Sequence, residues 1–168
     1  MGLYPADIEA LASAIIAVYR DRGWMIATAE SCTGGLIAGA LTEIAGSSAV
    51  VDRGFVTYTN QAKMDLIGVS VASLQSFGAV SRETVLQMAH GALMRSGAEV
   101  AVAVTGIAGP GGGSAEKPVG LVHLALNTRS GIVDHREMRY GEIGRAQVRL
   151  ATVRTALEML LATAQTPA

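Results

Sequence analysis

Seven consecutive residues, Glu99 to Thr105, alternate valine with alanine and carry almost no polar side chain. β-Branched residues favour extended backbone, and a strand without a polar face must be covered on both sides. The run therefore calls for helices above and below a sheet, the layered arrangement of α/β proteins. Whatever else the chain does, it must place this strand centrally and supply two helical layers around it.

The flanking sequence supplies them. Ile8, Leu11, Ile15 and Val18 recur at helical spacing, so Pro5 to Arg22 reads as an amphipathic helix ended by Gly23. Trp24 to Ala29 reads as a short strand. Gly34 to Ile44 follows as a helix, with Gly46 as its stop. Ala49 to Tyr58 reads as a strand with Gly54 as a candidate bulge. Thr59-Asn60 caps a short helix from Gln61 to Ile67, and Val69 to Ala79 reads as a connection with one helical turn. Ser81 caps a helix to Ser96 with Val85, Met88, Ala89, Ala92 and Leu93 inward. Val119 to Asn127 and Ile132 to Tyr140 form a hairpin across Thr128-Arg129-Ser130-Gly131. Glu142 to Thr163 closes the chain as a helix whose Val148, Ala151, Val153, Ala156, Leu157 and Leu160 face either the core or a partner. No repeat or linker divides the sequence. The expectation is a single domain over residues 1–168, an α/β fold in three α/β/α layers. Its sheet is mixed and mostly parallel, with an antiparallel hairpin near the C-terminus.

Composition narrows the function. Half of the 168 residues are apolar, which excludes a disordered chain. No apolar run approaches the roughly 20 residues of a membrane span. Asp7 and Glu9 interrupt the N-terminus, so it does not read as a signal peptide. A single cysteine forms no internal disulfide and no multi-cysteine zinc cluster. A cytoplasmic protein is expected, without a membrane partner. The net charge of −1 argues against a nucleic-acid surface.

The candidate chemistry sits in Thr28-Ala29-Glu30-Ser31-Cys32-Thr33-Gly34-Gly35. A turn from strand to helix aims several N–H groups at one spot, where the helix dipole also favours negative charge. Ser31 is either a nucleophile or a helix N-cap. The N–H groups of Thr33, Gly34 and Gly35 are candidate oxyanion donors. Cys32 competes as nucleophile, or is a small buried hydrophobe. Glu30 orients a lysine or a substrate group, or forms a salt bridge.

A second strand-to-helix junction, Tyr58-Thr59-Asn60-Gln61-Ala62-Lys63, offers a base. Lys63 falls in the first helical turn, where the macrodipole disfavours a cation and burial depresses the amine further. A neutral amine of this kind can take a proton from serine; the other reading is a solvated lysine. Tyr58 is a proton relay or a packed aromatic. Thr105 ends the central strand, and Gly106 opens a glycine-rich loop to Gly113 that is either a phosphate cradle or a flexible lid. The loop lacks both the P-loop and the dinucleotide-binding spacing. Arg145 and Arg149, four apart, share a helix face and suit either a phosphate or solvent. His90, His123 and His135 lack metal-ligand spacing, so no metal is expected. If the three strands run parallel, Ser31, Tyr58 and Thr105 gather at one sheet edge, the usual ligand crevice of open α/β sheets.

Taken together, Thr28 to Gly35, Tyr58 to Lys63, Gly78-Ala79-Val80-Ser81, Thr105-Gly106-Ile107-Ala108-Gly109-Pro110 and Glu116-Lys117-Pro118-Val119-Gly120 resemble the CinA C-terminal domain family. The resemblance runs from about residue 8 to residue 162. It implies a stand-alone form of a domain that larger CinA proteins join to an N-terminal molybdopterin-binding-like domain. It implies a Ser/Lys amidohydrolase that converts nicotinamide mononucleotide to nicotinate mononucleotide and ammonia in pyridine-nucleotide salvage, without a cofactor, and a homodimer. By motif match the serine is Ser31, the lysine Lys63 and the accessory group Tyr58. Gly144 stands where the family often has an acidic residue before the arginine at 145. The expected scheme has Lys63 activate Ser31, Thr33 to Gly35 hold the oxyanion, and Thr105, Gly106 and Arg145 bind a small nucleotide. The contrasting expectation is a nucleotide-binding or interaction module without turnover, linked to competence or DNA damage.

Overall fold

The computed structural model describes residues 2–167. Five strands form one sheet in the order β2-β1-β3-β4-β5: β1 (Ile26–Glu30), β2 (Val51–Val56), β3 (Val100–Gly106), β4 (Leu121–Thr128) and β5 (Val133–Arg139). β1 runs parallel to both β2 and β3, whereas β4 is antiparallel to β3 and to β5. The sheet is thus mixed, and β4 alone opposes the direction of the other four. The helices are α1 (Ala6–Arg22), α2 (Leu36–Thr42), α3 (Asn60–Ile67), α4 (Val71–Phe77), α5 (Arg82–Met94) and α6 (Arg145–Gln165).

The valine–alanine alternation sorts the two helical layers by size. Val100, Val102 and Val104, with Leu124 and Leu126 from β4, face α1, α2 and α6 in one buried cluster. Ala101 and Ala103, with Ala27, Ala29 and Ala125, face α5 in the other. Large residues fill the wide gap beneath three helices, and small ones let α5 lie close to the sheet. The α3–α5 contact is tighter still: a Cβ on Gly91 would fall on the carbonyl oxygen of Ile67. Val148, Val153, Ala156, Leu157 and Leu160 of α6 are all buried in the first cluster. Those five residues serve the core, while Ala151 is only half-buried. Tyr19 spans α1 and α6, its hydroxyl donating to the Leu160 carbonyl at 2.9 Å, which satisfies a buried polar group.

Two expectations change. The irregularity in β2 lies at Asp52, where Ile26 pairs Val51 but Ala27 pairs Arg53. Gly54 instead permits close approach, since a Cβ there would meet Thr28 Oγ1 at 2.8 Å and Ala38 Cβ at 3.3 Å. The segment after α3 holds a seven-residue helix, α4, rather than one turn, because the Ser70 hydroxyl accepts from Ser73 N and caps it. The caps of α3 and α5 fall where expected, with Thr59 accepting from Ala62 N and Ser81 from Thr84 N. No helix among the described residues is long and apolar enough to cross a membrane.

Candidate active site

The parallel strands β2, β1 and β3 end side by side, so the segments leaving them converge. Ser31 follows β1, Tyr58 and Lys63 follow β2, and Thr105 and Gly106 close β3. Together with Arg145 at the start of α6 they line a cleft of about 280 Å3. Ala79, Val80 and the Ile107–Gly112 loop complete its walls.

Lys63 is only 1% exposed, and its Nζ lies 3.0 Å from Ser31 Oγ. Its other neighbours are the carbonyls of Thr57 at 2.9 Å and Tyr58 at 3.3 Å. No carboxylate among the described residues forms a salt bridge with it. Burial without a counter-charge pulls the amine down to about 8, against a small opposing pull from Cys32. Cys32 is buried too, and desolvation pushes its thiol up to about 11. Lys63 Nζ engages Ser31 Oγ, whereas no side chain among the described residues hydrogen-bonds the Cys32 thiol, which favours Ser31 as the nucleophile candidate.

Glu30 departs from its expected roles. Its carboxylate is buried and accepts from Thr33 Oγ1 at 2.6 Å, Gly35 N at 3.1 Å, Ile37 N at 3.0 Å and Ala38 N at 2.8 Å. It caps the start of α2, where the dipole favours an anion, and neither orients Lys63 nor faces the cleft.

This arrangement engages two of the three expected oxyanion donors, Gly34 and Gly35. Gly35 N is bound to Glu30, Gly34 N donates to the Ser31 carbonyl at 3.0 Å, and Thr33 is fully buried. Cys32 lines the cleft, and its N–H donates to no acceptor on another residue among those described. The backbone of Cys32 is thus a candidate donor that the residue pattern did not single out. Only its position immediately after the serine hinted at it.

The remaining residues divide. Tyr58 sits on the rim, 57% exposed, and its hydroxyl accepts from Arg145 Nη2 at 2.9 Å. Arg145 also donates to the Gly109 carbonyl at 2.8 Å, so it ties the rim to the loop. Thr105 spends its hydroxyl proton on the Ala79 carbonyl at 2.9 Å and holds that wall in place. Gly106 packs on β4, where a Cβ would meet the Leu121 carbonyl oxygen at 2.9 Å. Arg149 turns away from Arg145 and binds the carbonyls of Cys32 at 3.1 Å and Thr33 at 3.2 Å. His123 and His135 pair with each other at 3.0 Å, on β4 and β5.

Relatives share this architecture. Nicotinamide-nucleotide amidohydrolase PncC of Enterobacter agglomerans is 50% identical over 153 residues, 89% of this chain and 93% of that protein. A CinA-like protein of Geotalea daltonii is 46% identical over 159 residues, 94% of this chain but 38% of that longer protein. Among solved structures, competence/damage inducible protein CihA from Agrobacterium tumefaciens is 73% identical with a TM-score of 0.97, over 98% of this chain and 100% of that one. The competence damage-inducible protein A (ComA) from Klebsiella pneumoniae is 37% identical with a TM-score of 0.88, over 92% of this chain and 95% of that one. The sequence pattern of the CinA C-terminal domain matches residues 8–164, and the chain belongs to that family.

Proposed function

We propose that this protein is an amidohydrolase that converts nicotinamide mononucleotide and water to nicotinate mononucleotide and ammonia. The observation that carries the reading is the buried, unpaired Lys63 amine at hydrogen-bond distance from Ser31. The name of the Enterobacter agglomerans relative supports the substrate class.

In this scheme neutral Lys63 takes the Ser31 proton as Ser31 Oγ attacks the carboxamide carbon. The Cys32 N–H meets the developing oxyanion. Collapse breaks the C–N bond, and the Lys63 ammonium gives its proton to the leaving nitrogen, which departs as ammonia. A water molecule, deprotonated by Lys63, then attacks the nicotinoyl ester. Collapse of that second intermediate releases the carboxylate, and Ser31 Oγ recovers its proton from Lys63. Arg145 and the amides of Gly111 and Gly112, which donate to no protein group among the described residues, suit the 5′-phosphate. Tyr58, accepting from Arg145, keeps its own O–H free for the substrate.

A binding module without turnover has no use for a desolvated amine held against a hydroxyl, and nothing in the cleft favours that reading. The test is ammonia release from nicotinamide mononucleotide by wild type and Ser31→Ala, with a chelator present. Release lost in the variant supports the scheme. A Ser31→Ala variant with near-full turnover removes Ser31 as nucleophile, and a folded wild type that releases no ammonia removes the substrate.

A further inference from the structure

Arg149 has no place in the scheme so far, yet it is half-buried and both its bonds go to the turn that follows Ser31. Nε donates to the Cys32 carbonyl and Nη2 to the Thr33 carbonyl. It forms no salt bridge with a carboxylate among the described residues. Its charge is thus directed wholly at backbone carbonyls of the nucleophile turn.

Following the peptide groups gives it a purpose. The Thr33 carbonyl and the Gly34 N–H are two ends of one peptide unit. That N–H donates to the Ser31 carbonyl at 3.0 Å. The Ser31 carbonyl and the Cys32 N–H are again two ends of one unit; Cys32 lines the cleft, and its N–H donates to no other residue among those described. An unbroken chain therefore runs from the guanidinium through two peptide units to the N–H of Cys32, next to Ser31; that N–H otherwise meets only its own thiol. Hydrogen bonds in such a chain polarise one another, more so away from water, and the charged end supplies the bias.

The same contacts fix geometry. Gly34 and Gly35 hold φ values of 59° and 104°, a left-handed stretch open to glycine and therefore intrinsically loose. Glu30 grips the turn from the α2 side, and Arg149 grips it from the α6 side. An oxyanion donor works by being oriented before charge develops, with no reorganisation during the step.

We propose that Arg149 is a positioning residue for hydrolysis, which holds and polarises the Cys32 N–H through the Thr33 and Ser31 carbonyls. The inference rests on the Ser/Lys reading above. Arg149 touches neither Ser31 Oγ nor Lys63, so its effect belongs to the height of the rate plateau and not to binding or to the base.

The experiment is a full pH–rate profile of nicotinamide mononucleotide hydrolysis for wild type and Arg149→Met, with thermal unfolding of both. The expected result is a plateau kcat lower by about tenfold to a hundredfold, KM within about threefold, and the same midpoint of the pH profile. A folded Arg149→Met with wild-type kcat overturns the proposal. So does a raised KM at unchanged kcat, which makes Arg149 a substrate ligand, and so does a displaced midpoint, which makes it a modulator of Lys63. Should Arg149→Met not fold, Arg149→Gln retains an amide donor without the charge, and wild-type kcat in that folded variant is equally fatal. Wild type that releases no ammonia overturns the function reading and this inference with it. Active wild type beside an unaffected variant overturns the inference alone.

Discussion

Lys63 Nζ lies 3.0 Å from Ser31 Oγ, although 32 positions separate the two in sequence. The amine's two other neighbours are carbonyl oxygens, of Thr57 and Tyr58, and these only accept. An ammonium here donates to the two carbonyls and to Ser31 Oγ; on losing a proton the amine keeps the two carbonyl bonds and turns its lone pair to the serine hydroxyl. In the first turn of α3, buried and without a carboxylate, the amine gives up its proton more readily than a solvated lysine.

The rate should follow that titration. Lys63 acts when neutral, and burial brings its pKa down to about 8. Turnover of nicotinamide mononucleotide should therefore fall about tenfold for each pH unit below that value and level off above it. A steady-state profile from pH 6 to pH 10 reads this directly, and a flat profile below pH 8 is incompatible with Lys63 as base.

Stability should carry the same signature. Between about 8 in the folded chain and 10.5 in the unfolded one, the unfolded state binds more protons at Lys63. Stability therefore rises with pH across this window, and the full cost of burying the cation is present below it. The stability of wild type relative to Lys63→Met should change by on the order of 3 kcal/mol between pH 7 and pH 11. Urea denaturation at both pH values measures it, and a pH-independent difference contradicts the shift.

Glu30→Gln should loosen the nucleophile turn. The carboxylate accepts four hydrogen bonds, whereas an amide offers one acceptor oxygen and turns an NH2 toward backbone donors. The expected loss is about 2–4 kcal/mol with a lower kcat, from denaturation and steady-state assay. A variant as stable as wild type would show that the charge is not what holds α2.

Gly91→Ala should act on the site from the opposite end of α3. The new Cβ falls on the Ile67 carbonyl oxygen, so α3 must move away from α5. Overpacking of this kind costs about 1–3 kcal/mol. Because α3 carries Lys63, the kcat should drop as well, although Gly91 is not among the residues lining the cleft. Thermal unfolding and ammonia release together check it, and unchanged kcat in the destabilised variant would show that α3 absorbs the strain without moving its lysine.

Much of the frame was legible because it depends on short-range physics. The Val100 to Val104 alternation, the Thr59 and Ser81 caps and the turn after Glu30 each follow from residues within a few positions of one another. The weaker readings were those where a local signal had two outcomes. The Ser70 cap lengthened a single expected turn into α4, and Gly54 marked a close approach rather than a bulge. At the site, residue types and their strand-end positions pointed to Ser31, Lys63 and Tyr58. They did not reveal that Glu30 takes the Gly35 amide, or that Gly34 is spent on Ser31.

Local pattern in the chain was enough to specify a sheet covered on both faces, with a hydroxyl, an amine and a glycine-rich loop leaving its strands. That the valines face α1, α2 and α6 while the alanines face α5 depends on the folded arrangement. The same arrangement strips Lys63 of its water and brings Arg149 to the Cys32 carbonyl 117 residues away. The division has a physical cause. Capping, turns and periodicity act between neighbours along the chain, whereas desolvation and the choice of hydrogen-bond partner depend on which distant segments the strand order brings together.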